Sequence, residues 1–346
     1  MAVGRGWRQG EYPLPAILRG EVPQVVWMTI GAHRLLSGPF FRHRHAAFPP
    51  YGCTTLLSLT WPVVMAVLVG AFLHAAWNAL VKSSGDKALD TALLHLVGSA
   101  VALPVLWVTG LPVPASLPFI AASVVIHVGY YVALVGAYQH GELGLTSPIM
   151  RGFAPLLVAL ASGSLLGESP SLAAWAGVIG ITTGVALVGL AHPGEALHHR
   201  KALLYAFANA AIIAVYTVVD GLGVRAEVAN GGSPLSYVLL LFVLNGVCYP
   251  CLVWWRRPAR ARSEMLAYGR RRWPVAAMGA VASLGSYAIA LWAMTRAPVA
   301  SVAALRETSV LFAAIMGTLL LKEKFGLQRA VGTAGIVFGV MALRLG

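Results

Sequence analysis

Acidic residues are scarce in this chain: 346 residues hold only 12 Asp and Glu, against 25 Lys and Arg. Charged residues of both signs make up 11% of the sequence, where a soluble globular protein carries about a quarter. So low a share excludes a soluble globular chain. Cysteine is also rare: Cys53, Cys248 and Cys251 cannot form a disulfide framework. Cys248-Tyr249-Pro250-Cys251 has the C-x-x-C spacing, but it lies inside the apolar run 234–255. That setting favours packing within a helix over redox or metal chemistry. No Gly-x-Ser-x-Gly, His-Glu-x-x-His or phosphate-cradling loop occurs, which argues against a membrane hydrolase or an ATP-driven pump. A basic patch interleaved with exposed aromatics is missing too, so the net charge of +13 is not a nucleic-acid signature.

What the chain does have is apolar length. Hydrophobic residues make up 58% of it and the mean hydropathy is +0.75. Runs of about twenty apolar residues recur almost end to end, each long enough to cross a bilayer as a helix. They are continuous rather than alternating, which favours helices over a barrel. Ten spans are expected, at about 60–81, 88–109, 117–138, 145–166, 171–191, 202–220, 234–255, 274–294, 299–321 and 326–344. The turns between them are short and carry breakers or charge, as in Gly167-Glu168-Ser169-Pro170 and Lys322-Glu323-Lys324-Phe325-Gly326.

The spans repeat. At an offset of 155 positions Arg151 falls on Arg306, Glu168 on Glu323, and Gly177, Gly180 and Gly184 on Gly332, Gly335 and Gly339, with apolar matches between. Paired Arg, Glu and three paired Gly in one register point to a duplication. Gly129-Tyr130-Tyr131 answers Gly285-Ser286-Tyr287 one residue out of that register. The expected fold is therefore an all-α polytopic membrane protein with ten transmembrane helices arranged as two five-helix repeats, 60–191 and 202–345. An odd number of spans per half makes the repeats inverted in the membrane.

Charge gives the orientation. Odd-numbered turns hold Lys82, Lys87, Arg200, Lys201, seven arginines between 256 and 272, Lys322, Lys324 and Arg329; even-numbered turns and the C-terminus hold only Arg225, Arg296 and Arg344. The positive-inside bias puts the odd turns in the cytoplasm. Residues 1–55 are basic, with scattered prolines and no spanning run. They read either as a disordered tail or as an over-extension upstream of a start near Met65; the second is preferred, because the tail matches neither a fold nor a linker and would sit on the wrong side for its charge.

Two five-helix halves, the text His74-Ala-Ala-Trp77-Asn78-Ala-Leu-Val-Lys82, and a twice-used pattern of helix, Leu-Leu-x-Glu, then helix with Gly-x-x-Gly-x-x-x-Gly resemble the drug/metabolite transporter superfamily, and within it the EamA-type ten-helix transporters, over about 60–345. The resemblance implies a secondary carrier or exporter of small metabolites, working by alternating access, and brings no particular substrate with it. The expected cargo is a small polar or amphipathic metabolite moved outward against protons, with no cofactor and no catalytic residue. The expected surroundings are the cell inner (plasma) membrane, crossed several times, with a small-molecule substrate, the lipid bilayer and a second copy in a homodimer as partners. A lipid-headgroup or lipid-linked-sugar flippase on the same scaffold, and a membrane enzyme or assembly factor without transport, are the alternatives.

The residues themselves narrow the site. The glycine triplets are spaced three and four apart, on one helical face, and read as packing surfaces. Glu168 and Glu323 lie at turns that reach water, near the start of the next helix. Arg151 and Arg306 lie six or seven residues into their spans, where a charge costs at least a few kcal/mol unless it faces a cavity or a partner. They either lock helices together, neutralised by Glu307 or Asp220, or line a shared cavity and attract an anionic group. Glu307 breaks the repeat, since its counterpart is Gly152. It is either the binder of a substrate amine or proton, or an ion-pair partner of Arg151 across the interface. Trp77, Asn78, His127, Tyr130, Tyr131, Tyr216 and Tyr287 are candidate cavity walls. Of these, Asn78, Trp77, Tyr131 and Tyr287 join Arg151, Arg306 and Glu307 as substrate-binding or coupling candidates. His74, His95 and His127 fall on three helices, and no metal site is expected.

Overall fold

The computed structural model describes residues 57–82, 86–140, 143–189, 200–258, 262–321 and 326–346. The tail 1–55 and the turn residues Lys322, Glu323 and Lys324 lie outside the described residues. Residues 57–346 form one compact unit. Its helices are α1 (Trp61–Lys82), α2 (Lys87–Thr109), α3 (Leu117–His140), α4 (Leu143–Leu166), α5 (Leu172–Gly189), α6 (Arg200–Ala229), α7 (Pro234–Arg256), α8 (Arg262–Met294), α9 (Val299–Arg306), α10 (Ser309–Leu321) and α11 (Leu327–Leu345). No strand occurs among the described residues.

Local chemistry sets the helix ends. The Asp86 carboxylate accepts the Leu89 N–H at 3.0 Å and opens α2. Ser233 caps α7, whose first residue is Pro234, a residue that has no N–H to leave unpaired there. Gly167 and Gly231 follow the ends of α4 and α6 with φ of 65° and 80°, a left-handed conformation that favours glycine.

The exterior is apolar, unlike that of a soluble fold, and the mainly apolar interior also holds polar side chains. Leu204, Val125, Met278 and Leu160 point outward, and Trp107 and Trp255 are exposed towards helix ends, where interfacial tryptophans anchor in a bilayer. Ser123, Asn209, Asp220, Asn245 and Ser286 are buried.

Eight stretches among the described residues are long and apolar enough to cross a membrane. The expected ten differ from these at α3, which offers only Leu117–Tyr131 as a shorter apolar stretch, and at α11, which carries Gln328, Arg329, Thr333 and Arg344. Three of the expected spans also differ in extent or continuity. α6 runs nine residues beyond the expected end at 220, to Ala229, and α8 begins at Arg262, twelve residues before the expected start at 274. The expected continuous span 299–321 is divided at Glu307-Thr308, where the backbone tightens to i→i+3 bonding: Glu307 N–H to Ala304 O at 3.0 Å and Thr308 N–H to Leu305 O at 3.1 Å. The Thr308 hydroxyl donates to Leu305 O as well, at 2.7 Å, competing for the carbonyl the α-ladder would use.

Helices of the first half pack on those of the second: α1 on α8, α2 on α7, α3 and α4 on α6, α5 on α11. In the last pair the expected glycine faces meet. A Cβ on Gly184 would stand 2.6 Å from the Gly332 carbonyl oxygen, and one on Gly332 2.8 Å from that of Gly184. Gly177 and Gly339 show the same reciprocity at 2.8 Å each way. Backbones this close gain dispersion contacts that any side chain would abolish, the main source of helix association in lipid. Cys248 and Cys251 lie within α7, exposed and with free thiols.

Candidate functional site

The divided helix carries the site. The tightened turn after α9 projects Glu307 towards α4, where Arg151 Nε donates to Glu307 Oε2 at 2.8 Å. Arg151 Nη2 also donates to Ser309 Oγ at 2.8 Å. The two side chains keep 19% and 10% of their exposure. Charges at this depth are tolerated when paired in this way. The ion pair anticipated between Arg151 and Glu307 is thus present, across the interface and not between the chain neighbours Arg306 and Glu307.

Arg306 is held differently. Its guanidinium lies over the Tyr287 ring, 5.3 Å from the centroid, and among the described residues no carboxylate comes within ion-pair distance of it. The Tyr287 hydroxyl donates to Asp220 Oδ2, and the Tyr237 hydroxyl donates to Asp220 Oδ1 at 2.9 Å. His127 stands beside this carboxylate; its Nδ1 is 2.8 Å from the Ser123 carbonyl oxygen, and its ring stacks on Tyr216 with centroids 4.4 Å apart. One paired cation, one cation resting on an aromatic face and one buried carboxylate therefore share the core of the bundle.

Tyr131, Trp77 and Asn78 fall around this core unequally. Tyr131 bonds through its hydroxyl to His95 Nε2 and packs on Tyr249 with ring centroids 4.2 Å apart, on the α2 and α7 side. Trp77 sets its ring edge-on to His74, 5.2 Å away, and its indole N–H is buried without a hydrogen-bond partner among the described residues. Asn78 donates to the His74 carbonyl of its own helix at 2.7 Å. Of that stretch it is His74 that stands within electrostatic reach of both Arg151 and Arg306. Sequence reasoning placed neither His74 nor Asp220 among the site residues. For Asp220 the available signal was a lone acidic residue bordering an apolar run. Among the described residues no group of three His, Cys, Asp or Glu side chains is placed to hold a metal ion.

Ion pairs close the bundle at both ends. At one end Arg257 reaches Asp86 at 2.6 Å and Arg272 reaches Asp90 at 2.7 Å, with the Tyr268 hydroxyl on Asp90 at 2.7 Å. At the other, Glu168 does not face water as expected. It accepts from Arg225 Nη2 at 2.5 Å and from the Val299 N–H at 3.1 Å, so it caps α9 rather than the helix that follows it in sequence. Arg225 in turn donates to the Met294 and Ala297 carbonyl oxygens. Just inside this clasp Val299 to Leu305 are all buried.

Residues 200–345 match the EamA-like transporter family. A solved structure described only as a crystal structure of a protein has the same fold, with a TM-score of 0.64 and 17% identity over 82% of this chain and 98% of that one. No curated protein matches the chain.

Proposed function

We propose that this multi-pass membrane protein, whose residues 200–345 match the EamA-like transporter family, is a secondary transporter exporting small polar or amphipathic metabolites across the cell inner membrane. The observation that carries the reading is Arg306: a cation deep in the bundle, resting on the Tyr287 ring with no carboxylate partner among the described residues. Arg151, by contrast, is neutralised by Glu307. One cation is thus left over, and it suits an anionic group on the substrate. The tightened turn beside it matches the discontinuous helices on which carriers build midplane sites.

Alternating access is supported by the symmetry of the packing. In a ten-helix inverted repeat α1 corresponds to α6, α2 to α7, α3 to α8 and α5 to α11. Exchanging the halves turns α1 on α8 into α6 on α3, and leaves α2 on α7 and α5 on α11 unchanged; all these pairs occur. The reciprocal contacts Gly184–Gly332 and Gly177–Gly339 are those of a local two-fold axis. The clasps at the two ends then serve as the gates that open in turn, with coupling to proton movement.

A metabolite-export screen in cells with and without the protein tests the transport reading. Within it, Arg306→Ala and Glu307→Gln are expected to abolish or strongly reduce export at normal expression. Wild-type export by both variants would overturn the site assignment.

A further inference from the structure

Asp220 is a buried carboxylate that substrate recognition leaves unused. It is fully buried and lies nine residues before the end of α6, about 13 Å from that end at 1.5 Å per residue. Two hydroxyls donate to it, Tyr237 from α7 and Tyr287 from α8, and Ser123 of α3 stands alongside. Among the described residues no Lys or Arg comes within ion-pair distance. The titratable and charged groups that face it are Tyr216 on its own helix, His127 on α3, Tyr237 on α7 and Tyr287 on α8. Beyond them, Arg306 of α9 acts on Tyr287 and His127, Arg151 of α4 on Tyr216, and Glu227 on Tyr237.

An unpaired carboxylate at this depth has two ways to exist: ionised, held by every hydroxyl that can donate to it, or neutral with a bound proton. We propose that Asp220 is the residue that takes up and releases the coupling proton. The proposal rests on the transport reading and moves the proton from Glu307, whose charge is already balanced by Arg151, to a carboxylate with no such partner.

The same geometry says how a proton changes the packing. Ionised, Asp220 is acceptor-only, and Tyr237 and Tyr287 tie α7 and α8 to α6 through it. Protonated, one oxygen becomes a donor and needs an acceptor, so a tyrosine hydroxyl must rotate or leave. Tyr287 also carries Arg306 on its ring face. Loss or gain of the proton therefore reaches the cation site through one side chain, at a junction between helices of both halves.

The test reads the proton directly, by infrared spectroscopy of the purified full-length protein over a pH series. Wild type is expected to show a protonated-carboxyl carbonyl band that declines as the pH is raised. The band is lost in Asp220→Asn and kept in Glu307→Gln and Glu227→Gln. Tyr237→Phe and Tyr287→Phe, which only remove its hydrogen bonds, shift the frequency of the band; they decide the matter should Asp220→Asn fail to fold. A band absent from wild type, unchanged in Asp220→Asn or unmoved in both tyrosine variants overturns the proposal. In proteoliposomes offered a panel of amino acids and small carboxylates, Asp220→Asn is expected to lower the ratio of pH-driven flux to solute exchange, and an unchanged ratio also overturns it. If wild type moves no member of the panel, it is the transport reading that fails, and the infrared series still decides whether Asp220 binds the proton.

Discussion

Arg151 donates from Nε to Glu307 Oε2 at 2.8 Å, so the acidic residue found in only one copy of the repeat sits on the arginine of the other copy. The pair fastens α4 to the tightened turn between α9 and α10, and a second contact, Arg151 Nη2 to Ser309 Oγ, fixes its orientation. In the duplicated pattern the position equivalent to Glu307 is Gly152, whose added Cβ would stand only 3.4 Å from the Thr182 carbonyl oxygen. The asymmetry is thus physical: one copy presents a charge where the other packs against a neighbouring backbone.

Breaking the pair from one side should cost more than removing it whole. Arg151→Ala leaves Glu307 buried and unpaired, a loss on the order of 3–5 kcal/mol. The Arg151→Ala/Glu307→Ala double variant is expected to recover a good part of that stability. Thermal unfolding of detergent-purified protein measures both, and equal losses in the single and double variants would contradict the pairing.

Arg306 should behave in the opposite way. Its contact with Tyr287 contributes about 0.5–2 kcal/mol, so Arg306→Gln should leave the unfolding midpoint nearly unchanged while export falls sharply. An export rate that merely tracks the loss of stability would assign Arg306 a packing role.

These contrasts show where the sequence was legible. The glycine triplets and the two arginines stood out because the repeat presents each of them twice, and the closeness of Gly184 to Gly332 follows directly from their spacing on one face. Glu307 stood out as the mismatch. Asp220 was hidden by a boundary: Gly221, Gly223, Arg225 and Glu227 lower the hydropathy just after it, so the span seemed to end at 220. Buried contacts to α3, α4 and α8 carry the helix on to Ala229 despite its glycines. Glu168 was misplaced for a related reason. Its partners, Arg225 and the Val299 N–H, are distant in sequence, and nothing local distinguishes a capping carboxylate from one that faces water.

The glycine seam makes a stability prediction with an internal control. Gly184→Leu and Gly332→Leu would force side-chain atoms into backbone under 3 Å away, and each should cost at least about 2 kcal/mol. Gly129 has nothing within 4 Å of an added Cβ, so Gly129→Ala should leave the unfolding midpoint unchanged or raise it. A similar loss at all three positions would mean that α5 and α11 do not meet face to face.

The Glu168–Arg225 clasp distinguishes a gate from a static brace. Glu168 accepts from Arg225 and from the first N–H of α9, and Ser301, two residues further along, is buried behind it. In a protein whose other cysteines are replaced, Ser301→Cys should react slowly with a membrane-impermeant thiol reagent applied from outside. Adding Glu168→Gln removes the charge that holds Arg225 and uncaps α9, so a gate would open more often and labelling would accelerate. Asp90→Asn releases Arg272 and the Tyr268 hydroxyl at the opposite end, and should slow labelling by favouring the conformer closed outside. A brace predicts another pattern: both variants unfold at lower temperature and neither changes the labelling rate of the folded protein. Opposite shifts from the two ends would support both the alternation and the orientation inferred from the distribution of Lys and Arg, since labelling reports from one face of the membrane only.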